Sequence, residues 1–427
     1  MIGIFTMRNY RVLLSIAVAI FLSTIFSSKI SAADWPAWRG PNRDGLCSEK
    51  GLLKQWPENG PPLVWKTTGV GEGFGGPAII GNMLYITGHK DDKQWLYALD
   101  VSKEGKQVWA TDFGPVRHNG AGFPGTRSTP TVDGDRIYVL GIAGDLVCMD
   151  AKDGNIIWQK DLIKDFGGKA SMWGYAESPL VDGPNLICTP GGKENSMLAL
   201  NKTDGSVVWH AALGDTADYA SVLKAKICGV DQYVNVTHQG IIGVDCQTGK
   251  LLWRYAGMEV PEGVRGANIA TTIVSGDSVF AARAYDHGGG RADIVRDGDK
   301  FEAKQVFFTK KMQNHHGGVV LVDGMLYGQT NPNLLTCIDY KTGDVKWADK
   351  ASGKCSVLYA DGMLYCRDEK GALSLVEATP DGYKQKGRFM QPDRSDKNAW
   401  PHLVIANGMM YVRDQDLILC YDLREKK

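Results

Sequence analysis

The chain has 427 residues, 43% of them hydrophobic, with 48 Lys+Arg against 48 Asp+Glu, so its formal net charge is zero. That length serves one large all-β domain or two ordinary domains. The balanced charge excludes the basic excess of a nucleic-acid binder and the polybasic stripe of a membrane-surface binder.

Arg8 and Arg11 precede an apolar stretch from Val12 to Phe26, and small residues follow at Ser31, Ala32 and Ala33. This order reads as a secretory signal over residues 1–33, cut after Ala33, which leaves no transmembrane segment. The apolar run is short against the roughly 20 residues of a spanning helix, the basis of the competing reading as an uncleaved anchor. The mature chain is expected in the periplasm or outside the cell, as a monomer. Residues 34–61 read as an N-terminal extension and 62–427 as the folded domain.

From residue 62 onward the chain repeats. Trp65, Trp109, Trp158, Trp209, Trp253 and Trp347 punctuate it, and all but the first follow a glycine by four residues, as in Gly154-Asn155-Ile156-Ile157-Trp158. Most neighbouring steps run from about 44 to about 51 residues, the length of a propeller blade. Before each glycine an apolar run ends in an acid or amide, such as Met149-Asp150 or Val244-Asp245. An earlier hairpin signal accompanies each unit, for example Asp133-Gly134 and Asp323-Gly324, because glycine beside Asn or Asp permits the positive φ of tight turns. One unit is therefore a four-stranded antiparallel blade.

Eight such units begin near Phe74, Ser128, Ser178, Tyr219, Ala270, Gly317, Lys354 and Pro401. The fifth lacks the tryptophan and holds Gly288-Gly289-Gly290, which reads as a flexible loop tip. In the seventh, Glu377 to Tyr383 replaces the usual turn. The eighth stops after Leu417 to Asp422, and the missing strand is supplied by Pro62-Leu63-Val64-Trp65, which closes the ring and removes its open edges. Cys148, Cys337 and Cys420 fall in the small-residue slot of Ala98, Ala199 and Gly243, so they read as core thiols.

These residues resemble the eight-bladed pyrroloquinoline-quinone-type (PQQ) propellers, whose A-x-D-x-x-T-G-x-x-x-W repeat is matched by Val244 to Trp253. The start, Asp34-Trp35-Pro36-Ala37-Trp38-Arg39-Gly40-Pro41-Asn42-Arg43-Asp44-Gly45, is similar to that of exported PQQ-like proteins of planctomycete-type bacteria. The resemblance covers about residues 60 to 424. It implies structural tryptophans that dock between blades. It also implies either of two uses: a quinoprotein alcohol dehydrogenase, or a non-catalytic scaffold like the outer-membrane barrel-assembly lipoprotein.

In a propeller the first strand of each blade lines the channel, so the residues leading into those strands are the candidate ligand-binding set. They are Arg127, Trp173, Glu177, Asn268, His315, His316, Lys354, Trp400 and His402, with Phe74, Tyr175 and Tyr219 beside them. Polar, aromatic and ionisable groups converging in one concavity mark a binding site. Arg127 suits bidentate carboxylate binding. His315 and His316 are adjacent, and on a regular strand only one would face inward, which argues against a metal held by both. In the dehydrogenases PQQ lies between a tryptophan and a disulfide of adjacent cysteines, beside calcium. Glu177, Asn268 and Trp173 are the matching residue types, but no two cysteines are adjacent here. The sequence thus favours a binding or scaffold module for a protein or polymer partner in the cell envelope, with a PQQ- and calcium-dependent oxidoreductase acting on an alcohol or sugar as the alternative. Gly71 to Gly76 opens a strand rather than a helix, which excludes a dinucleotide loop.

Overall fold

A computed structural model describes residues 33–116, 123, 125–264 and 266–425. The expected signal over residues 1–33 therefore lies outside the described residues, save Ala33. The described chain forms an eight-bladed β-propeller. Its innermost strands are Ala78–Ile80, Thr131–Asp133, Leu180–Asp182, Leu223–Ile227, Ile273–Ser275, Val319–Val322, Cys355–Ala360 and Val404–Ala406. Six of them lead an antiparallel sheet of four strands in sequence order, the seventh and eighth blades adding a strand from the N-terminal part of the chain, and the only helical elements among the described residues are two 3-10 turns. Blade eight is completed by Leu63–Thr67, which pairs antiparallel with Leu417–Asp422, so both chain ends meet in one sheet.

The repeat works through the tryptophan. Trp109 Nε1 donates to Ala151 O at 3.3 Å, Trp158 to Lys202 O at 3.1 Å, and Trp209 to Cys246 O at 3.1 Å. Each acceptor sits in the turn of the following blade. The turn glycine is there for contact as well as for its φ: a Cβ on Gly154 (φ +75°) would stand 2.5 Å from the Trp109 ring. The indole thus buries its face on the next blade while its one donor is satisfied. Blades five and seven use phenylalanine instead. Phe307 lies under Gly343 and Phe389 under Gly60, with built Cβ distances of 2.8 and 2.5 Å.

Blade five differs from the expectation in one respect. Gly288, Gly289 and Gly290 are not a loop tip but the start of strand Gly288–Asp297, paired with Arg283, Ala282 and Ala281. The glycines make room: a Cβ on Gly290 would meet Tyr255 Oη at 2.3 Å, and one on Gly289 the Phe280 ring at 2.7 Å. Tyr255 of blade four, whose hydroxyl donates to Gln305 Oε1 at 2.8 Å, docks where the usual turn is missing. All nine cysteines are unpaired, and eight are buried, as core thiols should be.

The N-terminal extension runs through the ring. Trp35 exchanges two 2.8 Å backbone hydrogen bonds with Ile79 of blade one, and Val132 N of blade two donates to Pro36 O at 2.9 Å. Arg39 Nη2 donates to Val319 O of blade six, and Arg43 to Ser178 O and Pro179 O of blade three. Leu46–Cys47 then adds a parallel strand to the channel side of Cys355–Ala360 in blade seven. Leu52 and Trp56 pack at the far end, where Trp56 meets Phe389 edge-on at 5.5 Å. The central channel is therefore closed by the protein's own chain.

Candidate functional site

That closure turns one mouth of the channel into a blind funnel of about 390 Å³. Trp38, from the N-terminal segment, is its floor: its Nε1 donates to Thr271 Oγ1 at 2.9 Å and its ring lies 4.5 Å from that of His402. Every blade contributes to the wall. Phe74, Phe123 and Trp400 form one aromatic side, with ring separations of 5.0 Å for Phe74–Trp400 and 4.8 Å for Phe123–Trp400. Trp173, Tyr219 and Tyr285 form another, with Trp173 and Tyr285 stacked at 17°.

Two cations face this aromatic surface. Arg127 Nη2 donates to Phe123 O at 2.7 Å, while its buried Nη1 has no hydrogen-bond partner among the described residues. Burial lowers the Arg127 pKa to about 10, which leaves it charged at neutral pH. Lys354 Nζ lies 2.9 Å from Glu369 Oε1, and the same oxygen accepts from Trp400 Nε1 at 2.8 Å. Burial, with Arg39 nearby, depresses His402 to about 3, so its imidazole is neutral and its Nε2–H donates to His316 O at 2.8 Å.

Of the sequence candidates, the structure gathers Arg127, Trp173, His315, His316, Lys354, Trp400 and His402 around the funnel. His315 and His316 both line it, because the strand of blade six begins only at Val319 and strand alternation does not govern them. Glu177 and Asn268 lie behind the wall instead. Glu177 accepts from Thr189 N at 2.7 Å and Thr189 Oγ1 at 3.2 Å, and Asn268 Nδ2 donates to Thr237 O and Met258 O. Their neighbours Ala176 and Ile269 face the cavity in their place. With both calcium-type residues turned away and no cysteine on the wall, the described residues do not fit a calcium–quinone site. Trp38, Phe123, Tyr285 and Glu369 were not singled out by sequence; the tryptophan-rich start Trp35-Pro36-Ala37-Trp38 was the visible signal for the first.

The glycines of Gly71 to Gly76 serve packing. Built Cβ atoms on Gly71, Gly73 and Gly75 would stand 2.7 Å from His89 O, 2.7 Å from Thr126 Oγ1 and 2.5 Å from Ser128 O. The segment threads between blades and presents Phe74 to the funnel.

Burial raises Glu177 to about 7, against the opposing hydrogen bonds of Thr189 and the charge of Arg43. Its folded pKa thus exceeds its unfolded value, so the protein binds the proton more tightly when folded. That contribution is fully present below about pH 4.5 and is lost as pH rises through about 7, roughly 3 kcal/mol in all. His402 slopes the opposite way, since its depressed pKa removes stability as pH falls. Glu177→Gln, which keeps an acceptor for Thr189 N, is expected to be more stable than the parent at pH 8 and equal to it near pH 4. Denaturant midpoints of the two proteins across this range isolate the term; parallel curves would refute it.

The comparisons with known proteins agree with this architecture. Residues 92–349 and 291–385 match the family model described as outer membrane protein assembly factor BamB. The chain belongs to the BamB family. It is 24% identical over 256 residues to the outer membrane protein assembly factor BamB of Burkholderia pseudomallei, covering 58% of this chain and 62% of that one. The chain therefore spans less than two thirds of that relative. The crystal structure of BamB from Moraxella catarrhalis is similar with a TM-score of 0.61 at 13% identity, over 86% of this chain and 98% of that one. Quinohemoprotein alcohol dehydrogenase from Comamonas testosteroni gives 0.64 at 10% identity, over 92% and 81%. At such identities the two structures share the fold with the BamB-family chain.

Proposed function

We propose that this chain is an exported binding module of the cell envelope, which holds a protein or polymer partner by an acidic group inserted into the funnel. The observation that carries the reading is the blind, preformed recess, with Trp38 as floor and the Arg127 guanidinium on its wall. A carboxylate there would be met by a guanidinium in low dielectric, where a charge-assisted bond is strong. The aromatic walls would stack on the group that carries it. Membership of the BamB family supports a binding role.

Site-specific photocrosslinking in intact cells tests this. A benzoylphenylalanine at Met172, exposed beside the funnel lining, is expected to trap a discrete adduct that disappears in Arg127→Glu. The same probe at Val208, on an outer blade strand, serves as control. Protease sensitivity of the adduct separates a protein partner from a polymer. No adduct at the funnel, together with a rise in melting temperature on adding PQQ and calcium, would replace this reading with the oxidoreductase one.

A further inference from the structure

We propose that the funnel wall carries a binding site for one divalent first-row transition metal of the zinc class, held by His315, His316 and Glu369. One ligand atom from each lies within 4.8 Å of the other two. The spacing is closer to coordination than that limit implies. His315 Nδ1 is 3.3 Å from His316 Nδ1, and His316 Nδ1 is 3.6 Å from Glu369 Oε1. A tetrahedral zinc ion with ligands at about 2.0–2.1 Å has ligand-to-ligand edges of roughly 3.3–3.4 Å. Both measured separations therefore need adjustments of only a few tenths of an ångström.

The surroundings orient the ligands. Tyr285 Oη meets His315 Nε2 at 3.0 Å, which turns the other ring nitrogen toward His316. Trp400 Nε1 holds Glu369 Oε1, and His402 holds the backbone of His316 through its carbonyl. Hydrogen bonds of this kind fix ring orientation in metal sites and sharpen affinity. Two imidazoles and one carboxylate suit zinc, copper or nickel and are poor ligands for calcium or magnesium, which take all-oxygen shells. His315 and His316 line the funnel, and three protein ligands leave a tetrahedral ion a fourth position for another donor. Lys354 Nζ, 2.9 Å from the same Glu369 oxygen, competes with any cation for that carboxylate. The proposal does not depend on the partner reading, because its test reads metal alone.

Cobalt(II) is the probe, added to the full chain in a Cys228→Ser background that removes the one thiol not fully buried. Tetrahedral visible d–d bands are expected to saturate at one equivalent and to vanish when zinc is added. His315→Ala and Glu369→Gln are each expected to weaken zinc binding at least tenfold. Lys354→Met is expected to tighten it several-fold, a gain that misfolding does not produce. Absence of the bands, or bands of full intensity in His315→Ala, overturns the site. So does weaker binding in a Lys354→Met protein that melts as the parent does.

Discussion

Deleting residues 34–60 is expected to lower the melting temperature of the ring by roughly 10 °C or more, although the deletion leaves the four antiparallel strands of every blade, including the closing strand Leu63–Thr67. The removed segment buries Trp35, Leu52 and Trp56, at 3%, 0% and 4% exposure. Truncating a buried tryptophan or leucine costs about 3–5 kcal/mol each, so the three together are worth on the order of 10 kcal/mol. In a domain this large each kcal/mol moves the melting point by only a degree or two, following the inverse scaling with size. The segment also ties together blades on different sides of the ring: Pro36 joins blade two, Arg39 blade six, Arg43 blade three and Leu46–Cys47 blade seven. Without it the innermost strands line an open channel and the funnel has no floor. Scanning calorimetry of the shortened chain decides the matter. A melt within about 2 °C of the full chain would mean that the segment merely rests in the channel.

What the sequence disclosed and what it hid separate along a physical line. The blades were legible because a turn of Asp-x-x-x-Gly followed by Trp is a local device, and a local device repeated at fixed spacing can mean only one supersecondary unit. Ring closure was legible because one strand was missing at one end and surplus at the other. The position of the funnel followed from the repeat, which brings one leading segment per blade to the same mouth. The direction of single side chains did not follow. Ala176 and Ile269 face the cavity while Glu177 and Asn268 face away, a one-residue difference that inverts the side chain wherever the backbone is extended. For His315 and His316 the same alternation misled, since the segment there is not yet a strand. The channel-filling role of Trp38, Arg39 and Arg43 was hidden because the segment belongs to no repeat. The partner of Arg39 stands 280 residues away along the chain, and that of Arg43 136 residues away.

Arg413→Ala is expected to be the most damaging single substitution within the blades themselves, at about 4 kcal/mol or more. Arg413 is wholly buried, and its guanidinium donates to Thr87 O at 2.7 Å, Gly75 O at 2.8 Å, Gln415 O at 2.9 Å and Gly71 O at 3.1 Å. Three of those carbonyls belong to blade one or its leading segment, so this side chain fastens the closing blade to the first. Arg367 does the same on the other side, donating to Arg413 O and Gln391 Oε1. Burial lowers Arg413 to about 9, with Asp416 and Asp414 opposing, so it remains a cation at neutral pH. Removing it leaves four buried acceptors unpaired, at roughly 1–3 kcal/mol apiece before relaxation, and empties the space the side chain filled. Lysine does not rescue it, because a single ammonium cannot reach carbonyls spread around a planar fork. The effect also reaches the funnel: Gly71 O and Gly75 O bracket Phe74, whose ring packs tilted against Trp400. Arg413→Lys is therefore expected to shift both the denaturant midpoint and the Trp400 fluorescence, while an exposed-site control such as Arg424→Ala leaves the midpoint within about 0.5 kcal/mol. If Arg413→Lys melted as the parent does, the ring would be fastened by strand pairing with Leu63–Thr67 alone.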